Sequence, residues 1–292
     1  MGVCIHAADR MVRVTNVNEA VKSRYGYAMT VLRGLVKTDF KLRYQGSFLG
    51  VAWSVLRPLM VFAVMYVVFA RFLKISDGTP TYPVVLLCGV VSWQFVTETV
   101  TMGLRSIVDR GDLLRKVHFP NVIVVVSASL GALISLAINF VVVLVFAFFS
   151  HVQFTWEVLW LPLNLIQLYV LALSIAMICA TCYVYFRDIA HIWDVVQQIL
   201  FYCMPIMYPL SYVLTHAGTY GELVARVEVL NPIAQCIQDI RHNFLAPATT
   251  PTVWNMFSNP WAKAFPIAVT LLLAWFGVWL FRRNSSKFAE VI

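Results

Sequence analysis

Apolar residues along this chain gather into long unbroken runs separated by short polar punctuation, with no sustained alternation of period two. Six runs, at roughly 51–73, 82–104, 120–149, 157–184, 192–213 and 265–281, are long enough to be membrane helices. At 1.5 Å per residue, about 17 to 25 apolar residues cross ~30 Å of hydrocarbon. A transmembrane barrel would instead show dyad alternation in segments of about ten. The pattern predicts an all-α integral membrane fold of six transmembrane helices.

Two connecting regions have patterns of their own. In "YGYAMTVLRGLVKTDFKL" (25–42), Ala28, Val31, Leu32, Leu35 and Val36 share one helical face, with Arg33, Lys37 and Lys41 elsewhere on the wheel. Too polar to span, this stretch predicts an amphipathic helix in the inner-leaflet interface, its basic residues near membrane lipid headgroups. Between runs five and six, "NPIAQCIQDIRHNFL" sets Ile233, Ile237, Ile240 and Phe244 on one face behind an Asn231 cap and Pro232 at the first position. That predicts a short external helix lying on the outer leaflet or dipping into it. Just before, Pro205 and Pro209 in "CMPIMYPLSYV" each remove a backbone donor, which predicts a broken or re-entrant element.

The composition agrees, with 60% hydrophobic and 12% charged residues and a mean hydropathy of +0.77, outside the range of soluble domains. The net charge of +8 matters through its distribution. Seventeen of the 22 Lys and Arg fall on one side of the six runs: in 1–50, at Arg57, in 105–116, at Arg187 and in 282–287. The other five are Arg71, Lys74, Arg226, Arg241 and Lys263. Basic loops stay cytoplasmic, so both termini are expected there, and the charge reads as topology rather than as affinity for nucleic acid. Residues 1–26 lack the apolar core of a signal peptide, so no cleavage for export is expected. Six cysteines form no paired framework; Cys179 and Cys182 have C-x-x-C spacing inside an apolar run, which favours packing over metal or redox chemistry.

Signatures of catalysis are missing. There is no G-x-x-x-x-G-K-[ST] loop to cradle a nucleotide phosphate, no Asp-x-Asp to hold Mg²⁺ against one, and no two His at i, i+3 or i, i+4. The chain is expected to carry no catalytic residue, metal or cofactor of its own. Arg57 and Glu98 are the notable charges inside the runs. An ionisable group in hydrocarbon costs at least ~2.5–3.5 kcal/mol on insertion scales, so such groups pair, snorkel or face a cavity. Both fall a turn or two above the inner boundary, and an intramembrane pair between them is expected, with simple snorkelling of Arg57 as the alternative. Small residues recur every fourth position at Gly46, Gly50 and Ser54, and at Ser127, Gly131, Ser135 and Asn139. They suit close helix packing or a weakly polar conduit. Most of the aromatics, 14% of the chain, suit interfacial belts. Tyr44, Trp53, Tyr66, Tyr183 and Tyr185 are candidate channel aromatics, where sugar C–H faces stack on rings.

"LRYQGSFLGVAWSVLRPL" (Leu42–Leu59) resembles the start of the first span in membrane subunits of ABC-2 type exporters that move O-antigen, capsular polysaccharide or teichoic acid. "DLLRKVHFPNVIVVVS" (Asp112–Ser127) is similar to the family's loop and the beginning of its third span. "YFRDIAHIWDVVQQILFYCMPIMYP" (Tyr185–Pro209) is similar to its fourth loop and fifth span, and "NPIAQCIQDIRHNFL" to its external helix. The likeness covers about residues 28–282. It implies an N-terminal extension (1–24), a cytoplasmic interfacial helix (25–45), an ABC-2 type transmembrane domain (46–282) and a cytoplasmic tail (283–292).

It also implies a half-transporter of the bacterial inner membrane. Two copies of the chain would join a dimer of a separate ABC ATPase, which binds ATP and Mg, to move a polyprenyl-diphosphate-linked glycan such as O-antigen. In such exporters the segment between spans two and three fits a cleft on the ATPase. Here Arg105, Arg110, Arg115 and Lys116 would offer charged contacts and Leu113, Leu114 and Val117 an apolar face, although positive-inside topology alone explains the charges. Arg43 and Arg57 are candidates for attracting the diphosphate headgroup. The alternatives are export of teichoic acid, capsular polysaccharide, or a small amphiphile or drug. In another class stands a multispan lipid-linked-sugar enzyme, for which residues 214–264 offer sparse acids and bases: Glu222, Glu228, Asp239, Arg226, Arg241, Lys263, His216 and His242.

Overall fold

The computed structural model describes residues 26–27, 29–39, 41, 50, 52–75, 78–116, 119–216 and 218–291. All regular structure among them is helical. The first helix, α1 (29–39), half-buries Val31, Leu32, Leu35 and Val36 and exposes Arg33 and Lys37, which is the predicted amphipathic register. Ala28, Arg43, Tyr44, Gly46 and Val117 lie outside the described residues.

Helix α2 (Ala52–Met65) continues as a π-helical segment (Tyr66–Phe72), followed by α3 (Tyr82–Asp109), α4 (Gly111–Lys116) and α5 (Val122–Phe149). A 3₁₀ turn (Trp156–Trp160) opens α6 (Leu161–Tyr185). Then come α7 (Ile189–Cys203), α8 (Leu210–His216), α9 (Gly221–Leu230), α10 (Pro232–Phe244) and α11 (Val253–Met256). The chain closes with α12 (Pro260–Asn284) and α13 (Phe288–Val291).

Five helical stretches are long and apolar enough to cross a membrane: Ala52–Phe72, Tyr82–Asp109, Val122–Phe149, Trp156–Tyr185 and Pro260–Lys287. The run expected at 192–213 is not a sixth continuous helix. It divides into α7 and α8 around the non-helical stretch 204–209. A 15-residue helix is about 22 Å long, short of the hydrocarbon thickness. Pro205 and Pro209 cannot donate to the helical ladder, and Met204 turns extended (φ −110°, ψ 151°).

Helix α3 is the axis of the bundle and is mostly buried, whereas α2 and its π-helical extension leave most of their apolar surface facing outward. A Cβ on Gly103 would lie 2.8 Å from the Ala176 Cβ, and one on Gly277 2.9 Å from the Ser174 carbonyl oxygen. Glycine therefore lets both α3 and α12 approach α6 closely. The stripe on α5 serves packing too, because Asn139 Nδ2 donates to the Ser54 carbonyl of α2 (3.0 Å) as well as to Ser135 O (2.9 Å).

Long-range contacts sort the connections to two ends. At one end Arg110 pairs with Asp39 of α1, Asn121 Nδ2 donates to Ser285 O (2.7 Å), and Tyr185 OH meets Asn284 Oδ1 (3.3 Å). At the other, Tyr82 OH donates to Met207 O (2.9 Å), and His242 Nε2 lies 3.8 Å from Glu157 Oε2. Each end has its own apolar cluster. Phe281 and Phe288 are buried with Leu104 and Ile107 near the termini, while Ile237, Ile240 and Phe244 are buried with Leu86 and Phe140 at the far end.

Candidate functional site

A cavity of about 290 Å³ lies among α2, α3 and α7. Its walls are Arg57 from α2, Gln94, Thr97, Glu98, Thr101 and Met102 from α3, and Asp194 and Gln197 from α7. The spacing explains the α3 wall: residues 94, 97, 98 and 101 recur every three or four positions and share one helical face. Helix α7 is held against that face by the buried Trp193, whose Nε1 donates to Thr101 Oγ1 (3.1 Å). Glu98 sits about midway along α3 and accepts a long hydrogen bond from Ser135 Oγ (3.4 Å). Arg57 is exposed. The structure thus brings the two anticipated intramembrane charges to one cavity. Sequence reasoning did not anticipate its third wall, α7, with Asp194 and Gln197. Guanidinium, amide, hydroxyl and carboxylate groups together can both donate to and accept from a polyhydroxylated ligand.

The segment between α3 and α5 lies at the end that also holds α1 and α13. Arg105 and Arg115 are exposed, and Leu113 and Leu114 are half-buried against the cluster that contains Phe288. Arg110 points inward, donating to Ser127 Oγ (2.8 Å) and pairing with Asp39. It joins α1, α3 and α5 instead of offering its charge outward. The backbone of Lys116 ends α4, and its side chain is outside the description.

The described candidate aromatics, Trp53, Tyr66, Tyr183 and Tyr185, make separate local contacts. Trp53 is exposed near the start of α2, while Tyr66 stacks on Phe62 (5.9 Å) and lies under Arg71 (5.5 Å) where α2 turns π-helical. Tyr183 lies under Arg187 (5.1 Å), and Tyr185 bonds Asn284, both at the terminal end. Cys179 and Cys182 are free thiols in α6, and Cys179 packs against the apolar cluster near the termini.

The far end holds a polar centre that sequence reasoning missed. Arg241 is 2% exposed. Its Nε donates to Val85 O (3.0 Å), one terminal nitrogen bonds Pro205 O and Gln238 Oε1 (3.4 Å), and the other bonds Ile206 O (2.7 Å). Together with Tyr82 on Met207 O, it satisfies the carbonyls released where α7 breaks, groups that would be costly to bury bare. Burial pulls Arg241 down to about 10, which leaves it charged at neutral pH. The sequence held a signal: Arg241 is four residues after Ile237 and three before Phe244, hence on the apolar face of α10. That helix is among the most buried elements rather than a surface helix.

Beside it runs a chain of side chains. Gln167 Nε2 donates to Gln235 Oε1 (2.7 Å), Gln235 in turn to Asp239, and Trp254 Nε1 to Asp239 Oδ2 (3.2 Å). Burial raises Asp239 to about 6, opposed by those hydrogen bonds and by nearby His242. Glu228 is likewise raised by burial and accepts from Tyr208 OH (2.7 Å), while Glu222 pairs with Arg226 (2.6 Å). The acids of residues 214–264 are thereby spent on separate structural contacts.

A family model described as ABC-2 type transporter matches residues 30–218. Over 275 residues, 93% of this chain and 98% of the relative, the sequence is 28% identical to the O-antigen export system permease protein RfbA of Myxococcus xanthus. A protein of the same name from Klebsiella pneumoniae is 25% identical over 279 residues, 94% of this chain and the whole of the relative.

Proposed function

The chain belongs to the ABC-2 type transporter family, and on that premise we propose that it is the membrane-spanning half of an exporter for a lipid-linked polysaccharide of the O-antigen class. It is a multi-pass membrane protein and a transport subunit rather than an enzyme, and its family implies an ABC ATPase partner. The observation that carries the reading is collinear similarity to O-antigen export permeases over 93% or more of the chain. In this reading two copies form the passage in the bacterial inner membrane, with both termini cytoplasmic and α7 and α8 together making a broken sixth crossing. The exposed Arg105 and Arg115, beside Leu113 and Leu114, would seat on the ATPase, which supplies ATP and Mg. Arg57 would attract the polyprenyl diphosphate, and the adjoining amides and carboxylates would meet sugar hydroxyls.

Deleting the gene in its own host tests this. The expected result is loss of surface glycan, accumulation of lipid-linked glycan on the cytoplasmic face, and restoration of both by the chain only together with its ATPase. Unchanged surface glycan, or rescue without any ATPase, would overturn it.

A further inference from the structure

We propose that the C-terminal half of α12 carries a binding site for an anionic phospholipid. A groove of about 670 Å³ is lined by Ala274, Trp275, Val278, Trp279, Arg282 and Arg283. Positions 275, 279, 282 and 283 follow at i, i+4, i+7 and i+8, so they form one stripe down the helix. The opposite side of α12 is occupied by its contact with α6 at Gly277. The Trp275 and Trp279 rings lie nearly parallel (centroids 6.3 Å apart, 15° between planes), and the Arg283 guanidinium sits 5.2 Å from the centre of the Trp279 ring. Trp275 is 68% exposed, and Arg282 and Arg283 are exposed.

Charge and chemistry choose the occupant. The groove has two guanidinium groups and no carboxylate, so it is complementary to a single negative group. The arginines close the last turn of a helix long enough to span, which is headgroup depth. Above them the apolar ring faces and Val278 offer a bed for the glycerol backbone and the first methylenes of an acyl chain. A protein partner with an acidic patch would gain from the arginines but would leave two bare indoles facing acyl chains. A phosphodiester lipid uses both halves of the groove. This site lies apart from the polar cavity among α2, α3 and α7 and does not depend on what the protein transports.

The test is native mass spectrometry of the delipidated full chain in detergent, titrated with phosphatidylglycerol or phosphatidylcholine. About tenfold better retention of phosphatidylglycerol is expected, with the preference lost in R282Q/R283Q and retained in R282K/R283K. W275L/W279L should weaken retention of phosphatidylglycerol while leaving the protein monodisperse. Equal retention of the two lipids, or a preference unmoved in R282Q/R283Q, would overturn the assignment. So would loss of an oligomer in these variants with lipid retention unchanged, since that would identify a second protein surface as the occupant.

Discussion

Two arginines meet opposite fates in this molecule. Arg241 is enclosed, every donor-bearing nitrogen committed to a fixed acceptor around the break between α7 and α8. Arg57 stands on the wall of a polar cavity and is exposed. Both are costly to place away from water, yet the cost is offset differently. Around Arg241 it is met by backbone carbonyls that the chain itself releases, so the charge becomes part of the architecture. Around Arg57 neighbouring polar side chains and open space leave room for something brought from outside. An arginine is thus evidence of function only when its acceptors are not already supplied by the fold.

The sharpest way to break that contrast is to remove the enclosed charge. Arg241→Met should cost on the order of 3–5 kcal/mol, since three buried carbonyls each lose a donor worth roughly 1–3 kcal/mol when missing. Thermal unfolding in detergent measures it, and a loss below about 1 kcal/mol would show that the break has other support. Gly89 sharpens the point, because a Cβ there would lie 1.8 Å from an Arg241 terminal nitrogen. Gly89→Ala alone should cost about 1–3 kcal/mol by overpacking but much less in the Arg241→Met background, so the pair is non-additive.

A smaller effect tracks pH at the same end of the molecule, outside the five spanning helices. The folded state keeps a proton on Asp239 up to about 6, whereas the unfolded chain releases it near 3.8. Stability therefore falls as pH rises through that window, and Asp239→Asn should flatten the slope of melting temperature against pH there. An unchanged slope would mean that another group sets it. Least disturbing to the fold is Arg57→Gln, which should shift stability by no more than ~0.5 kcal/mol. Its export of lipid-linked glycan should nevertheless fall roughly tenfold, the size of one lost charge-assisted hydrogen bond. Destabilisation comparable to that of Arg241→Met would erase the distinction between the two sites.

Much of this was legible before any coordinates, for identifiable reasons. Long apolar runs leave few choices, so α2, α3, α5, α6 and α12 lie close to their expected positions. The Asn231 cap on α10 is equally local: its side chain accepts from Ile233 N (3.0 Å) as its position before Pro232 requires. The amphipathic face of α1 follows from spacing alone. What stayed hidden depends on partners distant in sequence. Hydropathy cannot see that Arg241 will find the carbonyls of 205 and 206, so the residue looked like one more loop charge. Arg110 looked free for the same reason, because its acceptors belong to α1 and α5. The prolines announced a break within run five but not that it would shorten α7 below a span. Arg57 and Glu98 were recognisable as neighbours, since two antiparallel helices place them at similar depth, whereas Asp194 and Gln197 join them through the packing of Trp193 on α3.

The fit of Gly89 beneath Arg241 also constrains what each position can accept. A larger residue at position 89 is costly while the arginine remains, and the arginine is costly to give up while the break between α7 and α8 still needs its donors. The interrupted helix, the glycine and the arginine are therefore one physically coupled unit, though they lie far apart in the sequence.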